Sequence, residues 1–198
     1  MKPGKRLLDV LVAAGGLLVL SPLFAAVALA IWAADRGPVF YVQERVGLGD
    51  KTFGLWKFRS MRVGADRQGS LVTVGGDPRV TRIGRWLRRF KIDELPQLLN
   101  VLRKEMSLVG PRPEVPRYVA LFSPEQRAVL RLVPGITDPA SVEFSREEEI
   151  LRKAEDPERY YVEVVMPRKI ELNLEYANRA TVWTDLRMIL RTLQVILE

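Results

Sequence analysis

Cysteine and histidine are absent from all 198 residues, and with them whole classes of chemistry. No thiol nucleophile, disulfide, imidazole triad or Cys/His-ligated zinc site is possible. Any reaction here runs on carboxylates, hydroxyls, Lys, Arg and metals held by oxygen. Acidic residues are in the minority: 24 Asp+Glu against 31 Lys+Arg leaves a net charge of +7. That balance favours an anionic partner, whether nucleic acid, a phosphorylated substrate or an anionic lipid leaflet. No repeat, low-complexity stretch or linker interrupts the chain, whose length suits one domain.

Charge is also missing locally. Val10 to Ala34 is a run of 25 residues without a charged side chain. As a helix it would extend roughly 37 Å, against a hydrocarbon core of about 30 Å. A secretory signal is the alternative, but the run exceeds the ~7–15 residues of a signal core. Ser21-Pro22 falls near its middle. Proline removes a backbone donor and clashes with the preceding turn, so a bend is expected, with the carbonyl near Leu18 losing its helical partner. The Ser21 hydroxyl is placed to bond back to that turn. A kinked span and a re-entrant hairpin both fit this pattern. Basic flanks favour the hairpin: Lys2, Lys5 and Arg6 precede the run, while Arg36, Arg45, Lys51, Lys57, Arg59 and Arg62 follow it.

Beyond Gly37 the pattern turns short and β-like, with Val39 to Val42 and Phe53 to Phe58 on either side of a turn at Gly47-Leu48-Gly49-Asp50. Residues 64 to 78 read as a loop beside the site. Ile83, Trp86, Leu87 and Phe90 then recur at helical spacing, with Arg82, Arg85 and Arg89 opposite. This is either a helix lying in a membrane interface or a surface helix packed on the core. No nucleic-acid motif accompanies the basic cluster, so no nucleic-acid partner is expected. A further helical stripe, Leu95, Leu98, Leu99 and Leu102, is expected to end by Gly110-Pro111. A helix over 124–132 begins with Ser123 as N-cap, residues 146–159 are a solvated helical stretch, and the tail places Leu186, Ile189, Leu190 and Leu193 on one face.

Two places carry candidate chemistry. Asp93-Glu94 follows six basic residues, Arg79, Arg82, Arg85, Arg88, Arg89 and Lys91, and directly precedes a predicted helix. Two acidic residues there cap a helix routinely. Equally, phosphoryl transfer needs a nucleophile, a metal and positive charge around the phosphates, and aspartate forms acyl phosphates. Pro111-Arg112-Pro113 holds one guanidinium between two stiffening prolines, a rigid turn or a phosphate grip.

Taken in order, several segments resemble the monotopic phosphoglycosyl transferases, also called bacterial sugar transferases. They are Lys5-Arg6-Leu7-Leu8-Asp9, Leu20-Ser21-Pro22-Leu23, Gly37-Pro38-Val39-Phe40-Tyr41 and Lys57-Phe58-Arg59-Ser60-Met61. Most specific are Asp93-Glu94-Leu95-Pro96-Gln97-Leu98-Leu99-Asn100 and Met106-Ser107-Leu108-Val109-Gly110-Pro111-Arg112-Pro113. The resemblance implies an α+β, mainly helical fold: a re-entrant membrane helix over residues 1–36, broken at Ser21-Pro22, and a catalytic unit over 37–198 with interfacial helices and a short β-element. It implies transfer of sugar-1-phosphate from a UDP-sugar to a polyprenyl (undecaprenyl) phosphate at the cytoplasmic face of a bacterial inner membrane. Asp93 would be nucleophile and Mg2+ ligand, and Glu94 its catalytic partner. Arg88 and Arg112, the latter flanked by Pro111 and Pro113, would contact the phosphates or nucleotide together with Lys57 and Arg59. With no apolar helix ahead of Lys5, the chain resembles the small form of the family. After Thr137 it departs, having Asp138-Pro139-Ala140-Ser141 where many relatives have Gly-Trp-Ala-Gln; the chemistry is left intact and the sugar is not assigned. Oligomeric state is likewise left open. The rival classes are a polytopic lipid phosphotransferase, which needs several apolar spans where one exists, and a non-enzymatic basic membrane adaptor.

Overall fold

A computed structural model describes residues 3–65 and 72–197; Gly69 and part of the expected loop over 64–78 lie outside the described residues. The chain opens with α1 (Pro3–Val19) and α2 (Ser21–Asp35), bent by 60° at Leu20. The bend has the expected local cause. Pro22 cannot donate to the Leu18 carbonyl, and Ser21 Oγ donates to it instead at 2.8 Å. Neither helix alone is long and apolar enough to cross a membrane, but the bent pair together has the length and composition. Leu7, Leu11, Leu18, Val19, Leu29 and Trp32 are exposed along it.

Both ends of this pair are fastened to the rest of the protein. Lys5 Nζ donates to the Val109 carbonyl at 2.9 Å and to Asp185 at 2.6 Å. Arg6 donates to the carbonyls of Val101 and Leu102, and the buried Asp9 carboxylate accepts from Leu108 N. At the other end Arg59 pairs with Asp35. Lys5 and Arg6, two of the basic residues read as a topological flank, are also structural ties, which stabilise the junction by satisfying helix-end carbonyls and a buried carboxylate, while Lys2 lies outside the described residues.

Next come β1 (Phe40–Val46) and β2 (Thr52–Phe58), an antiparallel hairpin in register from Phe40↔Phe58 to Val46↔Thr52. The first strand runs four residues past the expected Val42. A turn at Leu48–Asp50 closes the hairpin, with Gly49 at φ 69°. Helix α3 (Arg82–Arg89) is N-capped by the Thr81 hydroxyl, which accepts from Gly84 N at 2.8 Å. A 3-10 turn at Ile92–Glu94 leads into α4 (Gln97–Leu102). The helix does not reach Gly110: it stops at Leu102, the chain reverses through Lys104 at φ 68°, and β3 (Ser107–Val109) follows. Helix α5 (Pro116–Val119) comes next, then a 3-10 segment at Gln126–Arg131 in place of the expected α-helix, with Ser123 Oγ accepting from Gln126 N. Strand β4 (Gly135–Thr137) pairs parallel with β3. The C-terminal half is helical: α6 (Pro139–Glu143), α7 (Glu147–Arg152), α8 (Pro157–Tyr160), a π-turn at Tyr161–Val165, α9 (Met166–Asn178) and α10 (Val182–Leu197).

The fold is thus mainly helical with two small sheets. Ala13, Leu55, Val101, Met106 and Leu108 form one core cluster joining α1, β2, α4 and β3. Val27, Ile31, Phe58 and Leu87 form another, joining α2, β2 and α3. The expected apolar stripe of α3 is divided. Ile83 and Leu87 pack inward, while Trp86, 51% exposed, and Phe90 face outward among the exposed Arg82, Arg85 and Arg89. The α10 face is divided likewise: Met188 and Ile189 pack on the core, and Leu190 and Leu193 are exposed beside Trp183.

Gly84 explains how closely α3 sits on the chain after β2. A Cβ there would overlap the Ser60 carbonyl, a backbone group that cannot rotate away. Gly84→Ala is therefore expected to cost about 1–3 kcal/mol by overpacking, despite alanine's better helix propensity. Thermal unfolding in detergent measures it; an unchanged or raised midpoint would contradict this packing.

Candidate active site

Asp93 and Glu94 sit in the 3-10 turn between α3 and α4, not at a helix cap. The turn follows Lys91, whose left-handed φ of 54° reverses the chain after α3. This directs Asp93 inward, to 5% exposure, against the cation-rich end of α3. Buried Asn100 braces the next helix: it accepts from Trp56 N at 3.1 Å and donates to the Gly54 carbonyl at 2.7 Å. The carboxylates are thereby held against β2.

Glu94 and Arg112 form a two-pronged ion pair, with Arg112 Nη1 donating to Oε2 at 2.9 Å and Nη2 donating to Oε1. Lys57 Nζ lies 3.8 Å from Glu94 Oε1. Burial alone would raise the Glu94 carboxyl, but Arg112 and Lys57 outweigh it and hold it well below the usual range. Arg112 is raised in turn, first by Glu94. Burial pulls Lys57 down to about 7, against the opposing pull of Glu94.

Asp93 is the contrasting member. Burial, then the charge of Glu94, pushes its carboxyl up, opposed by Lys57, Arg88 and Lys91. Its Oδ1 is buried without a hydrogen-bond partner. A carboxylate oxygen desolvated, unbonded and ringed by cations is free to bond an incoming electrophile or cation, whereas Glu94 is already committed. Among the described residues no group of three or more acidic side chains forms a metal cage. Magnesium nevertheless suits the donor set, because it binds through one or two carboxylates with phosphates and waters completing its shell.

Pro111-Arg112-Pro113 is held on every side. Gly110 N donates to the Thr137 carbonyl, Gly135 N donates to that of Pro111, and Arg45 donates to that of Pro113. A Cβ at Gly135 would overlap the Gly110 backbone, so glycine permits this approach. Arg112 N donates to the buried Asp138 at 2.8 Å, and Asp138 also accepts from Asn173 and caps α6. Pro111, Arg112 and Pro113 line one cleft with Asp138, Tyr161 and Lys169. Arg88 pairs with Glu148 of α7. Arg59 does not join the carboxylates: it is 6% exposed and turned toward Asp35 and Gly37.

Sequence reasoning missed Asp138, Glu148 and the trio Arg45, Glu114 and Tyr161, in which Glu114 accepts from both partners. Asp138-Pro139 is itself a helix-start signal. Nothing local marks Glu148, one of three consecutive glutamates.

The model of a family described as bacterial sugar transferase matches residues 1–198. The chain belongs to the bacterial sugar transferase family. The chain is 43% identical over 197 residues to the undecaprenyl-phosphate glucose phosphotransferase of Komagataeibacter xylinus, covering 96% of this chain and 35% of that protein. It is 39% identical to the UDP-glucose:undecaprenyl-phosphate glucose-1-phosphate transferase of Caulobacter vibrioides, covering 98% of this chain and 69% of that one. A UDP-N-acetylgalactosamine-undecaprenyl-phosphate N-acetylgalactosaminephosphotransferase of Aeromonas hydrophila is 36% identical, with 98% and 43% covered. The chain thus spans from about a third to about two thirds of the length of these relatives.

Proposed function

We propose that this chain transfers sugar-1-phosphate from a UDP-sugar to undecaprenyl phosphate, releasing UMP, by way of a covalent aspartyl phosphosugar. The observation that carries the reading is the unlike carboxylate pair, Asp93 with its buried Oδ1 unbonded and Glu94 locked to Arg112. Asp93 attacks the phosphorus bearing the sugar, the bond from that phosphorus to the bridging oxygen breaks, and UMP leaves with the electron pair. An oxygen of the polyprenyl phosphate then attacks the same phosphorus and releases Asp93. Lys57, Arg88 and Arg112 supply positive charge for the phosphates, while Glu94 keeps Arg112 aimed. Asp93 would hold Mg2+, which when bound offsets phosphate charge. Relatives with glucose and N-acetylgalactosamine in their names leave the sugar to be found by assay.

The anchor, residues 1–36, would be re-entrant, its ends on the cytoplasmic face of the inner membrane. Support comes from the fastening of both ends to one body, through Lys5 to Asp185 and through Asp35 to Arg59. A simple span would carry those ends to opposite sides of the bilayer. Trp86 and Phe90 of α3, flanked by arginines, suit the headgroup layer, where the acceptor's phosphate lies.

The test offers detergent-purified protein, magnesium and undecaprenyl phosphate a panel of UDP-sugars and measures UMP. Release that requires the lipid acceptor is the expected result. Silence across the panel from folded protein that still binds anionic vesicles would favour the non-enzymatic adaptor.

A further inference from the structure

The arginines near Asp93 differ in how firmly their charge is engaged. Arg112 is committed to Glu94, whose side chain is 14% exposed, by a two-pronged bond and by backbone ties on either side. Among the described residues Arg88 is paired with one carboxylate, that of Glu148, whose side chain is 44% exposed, while its charge also bears on Asp77. Glu148 comes from the first turn of α7, a separate element pinned to the preceding loop where Gly75 N donates to the Glu148 carbonyl at 3.1 Å. Its neighbour Glu147 points to Lys169 on the other side. An acidic helix start thus places a solvent-accessible carboxylate on a guanidinium whose charge bears on Asp93. A carboxylate and a phosphate oxygen make the same charge-assisted bond to guanidinium. The pair is half-buried, with water reaching both side chains, and a solvated ion pair contributes little and exchanges readily.

Resting on the proposed transferase reading, we propose that Glu148 is an anionic placeholder: it occupies Arg88 in the free enzyme and is displaced by the donor's diphosphate. The device keeps Arg88 neutralised and in position while the site is open to water, and gives up the guanidinium when a diphosphate arrives. Because only the fraction of molecules with Arg88 released is competent to bind, the pair weakens apparent donor affinity by that fraction.

The experiment compares Glu148→Gln and Glu148→Ala with Glu149→Gln, which makes the same charge change at an exposed neighbour. In the steady state, KM for the UDP-sugar should fall about two- to fivefold in both Glu148 variants, the span expected for releasing a solvent-accessible ion pair. The Glu149 variant should stay near the parent. An unchanged or raised KM in Glu148 variants with the parent's melting temperature would overturn the proposal, a raised value meaning that Glu148 positions Arg88 or touches the donor. A second readout does not need turnover: inorganic pyrophosphate should raise the melting temperature at lower concentration in Glu148→Gln than in the parent. Equal concentrations would overturn the placeholder even where UMP release succeeds, whereas a tighter response without UMP release would uphold it and count against the transferase reading alone.

Discussion

Asp93→Asn is expected to abolish UMP release, by roughly 10^4-fold or more, the scale seen when a covalent nucleophile is removed. Asparagine matches aspartate in size and fills the same buried space, so folding should survive. Its amide cannot take up the phosphosugar as a stable acyl phosphate. A donor labelled in the phosphate bearing the sugar separates this from a purely electrostatic role. Without acceptor, the parent should retain label on the protein and release it when undecaprenyl phosphate is added; the variant should retain none. Full turnover in Asp93→Asn would mean direct transfer between donor and acceptor.

The second large effect is on stability. Arg112→Met leaves Glu94 buried with Lys57, 3.8 Å away, as its remaining ion-pair partner among the described residues and Lys91 as a further nearby charge. Breaking one side of a buried pair costs about 3–5 kcal/mol, because the stranded charge stays desolvated. For a chain of this length that is a fall of roughly 6–20 °C in melting temperature. Adding Glu94→Gln removes the stranded charge, so the double variant should regain much of the loss while remaining inactive. Arg112→Lys keeps the charge but lacks the fork, and should fall between. A single variant melting like the parent would show that the pair contributes nothing to the fold. Equal loss in single and double variants would place the cost in the Pro111–Pro113 loop.

What could be read in the sequence follows the range of the forces involved. The bend at Ser21-Pro22 was legible because proline's missing donor acts within one turn, and the Ser21 bond to Leu18 lies three residues away. The hairpin of β1 and β2 was legible from its composition and turn, although its first strand ran on to Val46. Strands β3 and β4 were not, since three residues each give no periodicity and their pairing joins Ser107 to Gly135 across a connection that includes α5 and a 3-10 segment. Asp93, Glu94 and Arg112 stood out by charge, position and resemblance. That Glu94 and Arg112 form one unit is a product of the tertiary fold. Glu148 was hidden for the opposite reason: a run of glutamates reads as solvated surface unless the arginine it meets, 60 residues earlier, is known. Arg59 shows the converse, a cation in a promising segment that the fold spends on the anchor.

The tie between Lys5 and Asp185 also bears on the order of events during synthesis. Its partners are separated by 180 residues, and those of Asp9 and Leu108 by 99. The bent helix pair is made well before the groups that clamp its start, of which Asp185 arrives only with α10. Pairings so distant in the chain form slowly. Until α10 is made, then, the start of the pair lacks its Lys5 tie, and α10 acts as the latch that fixes it.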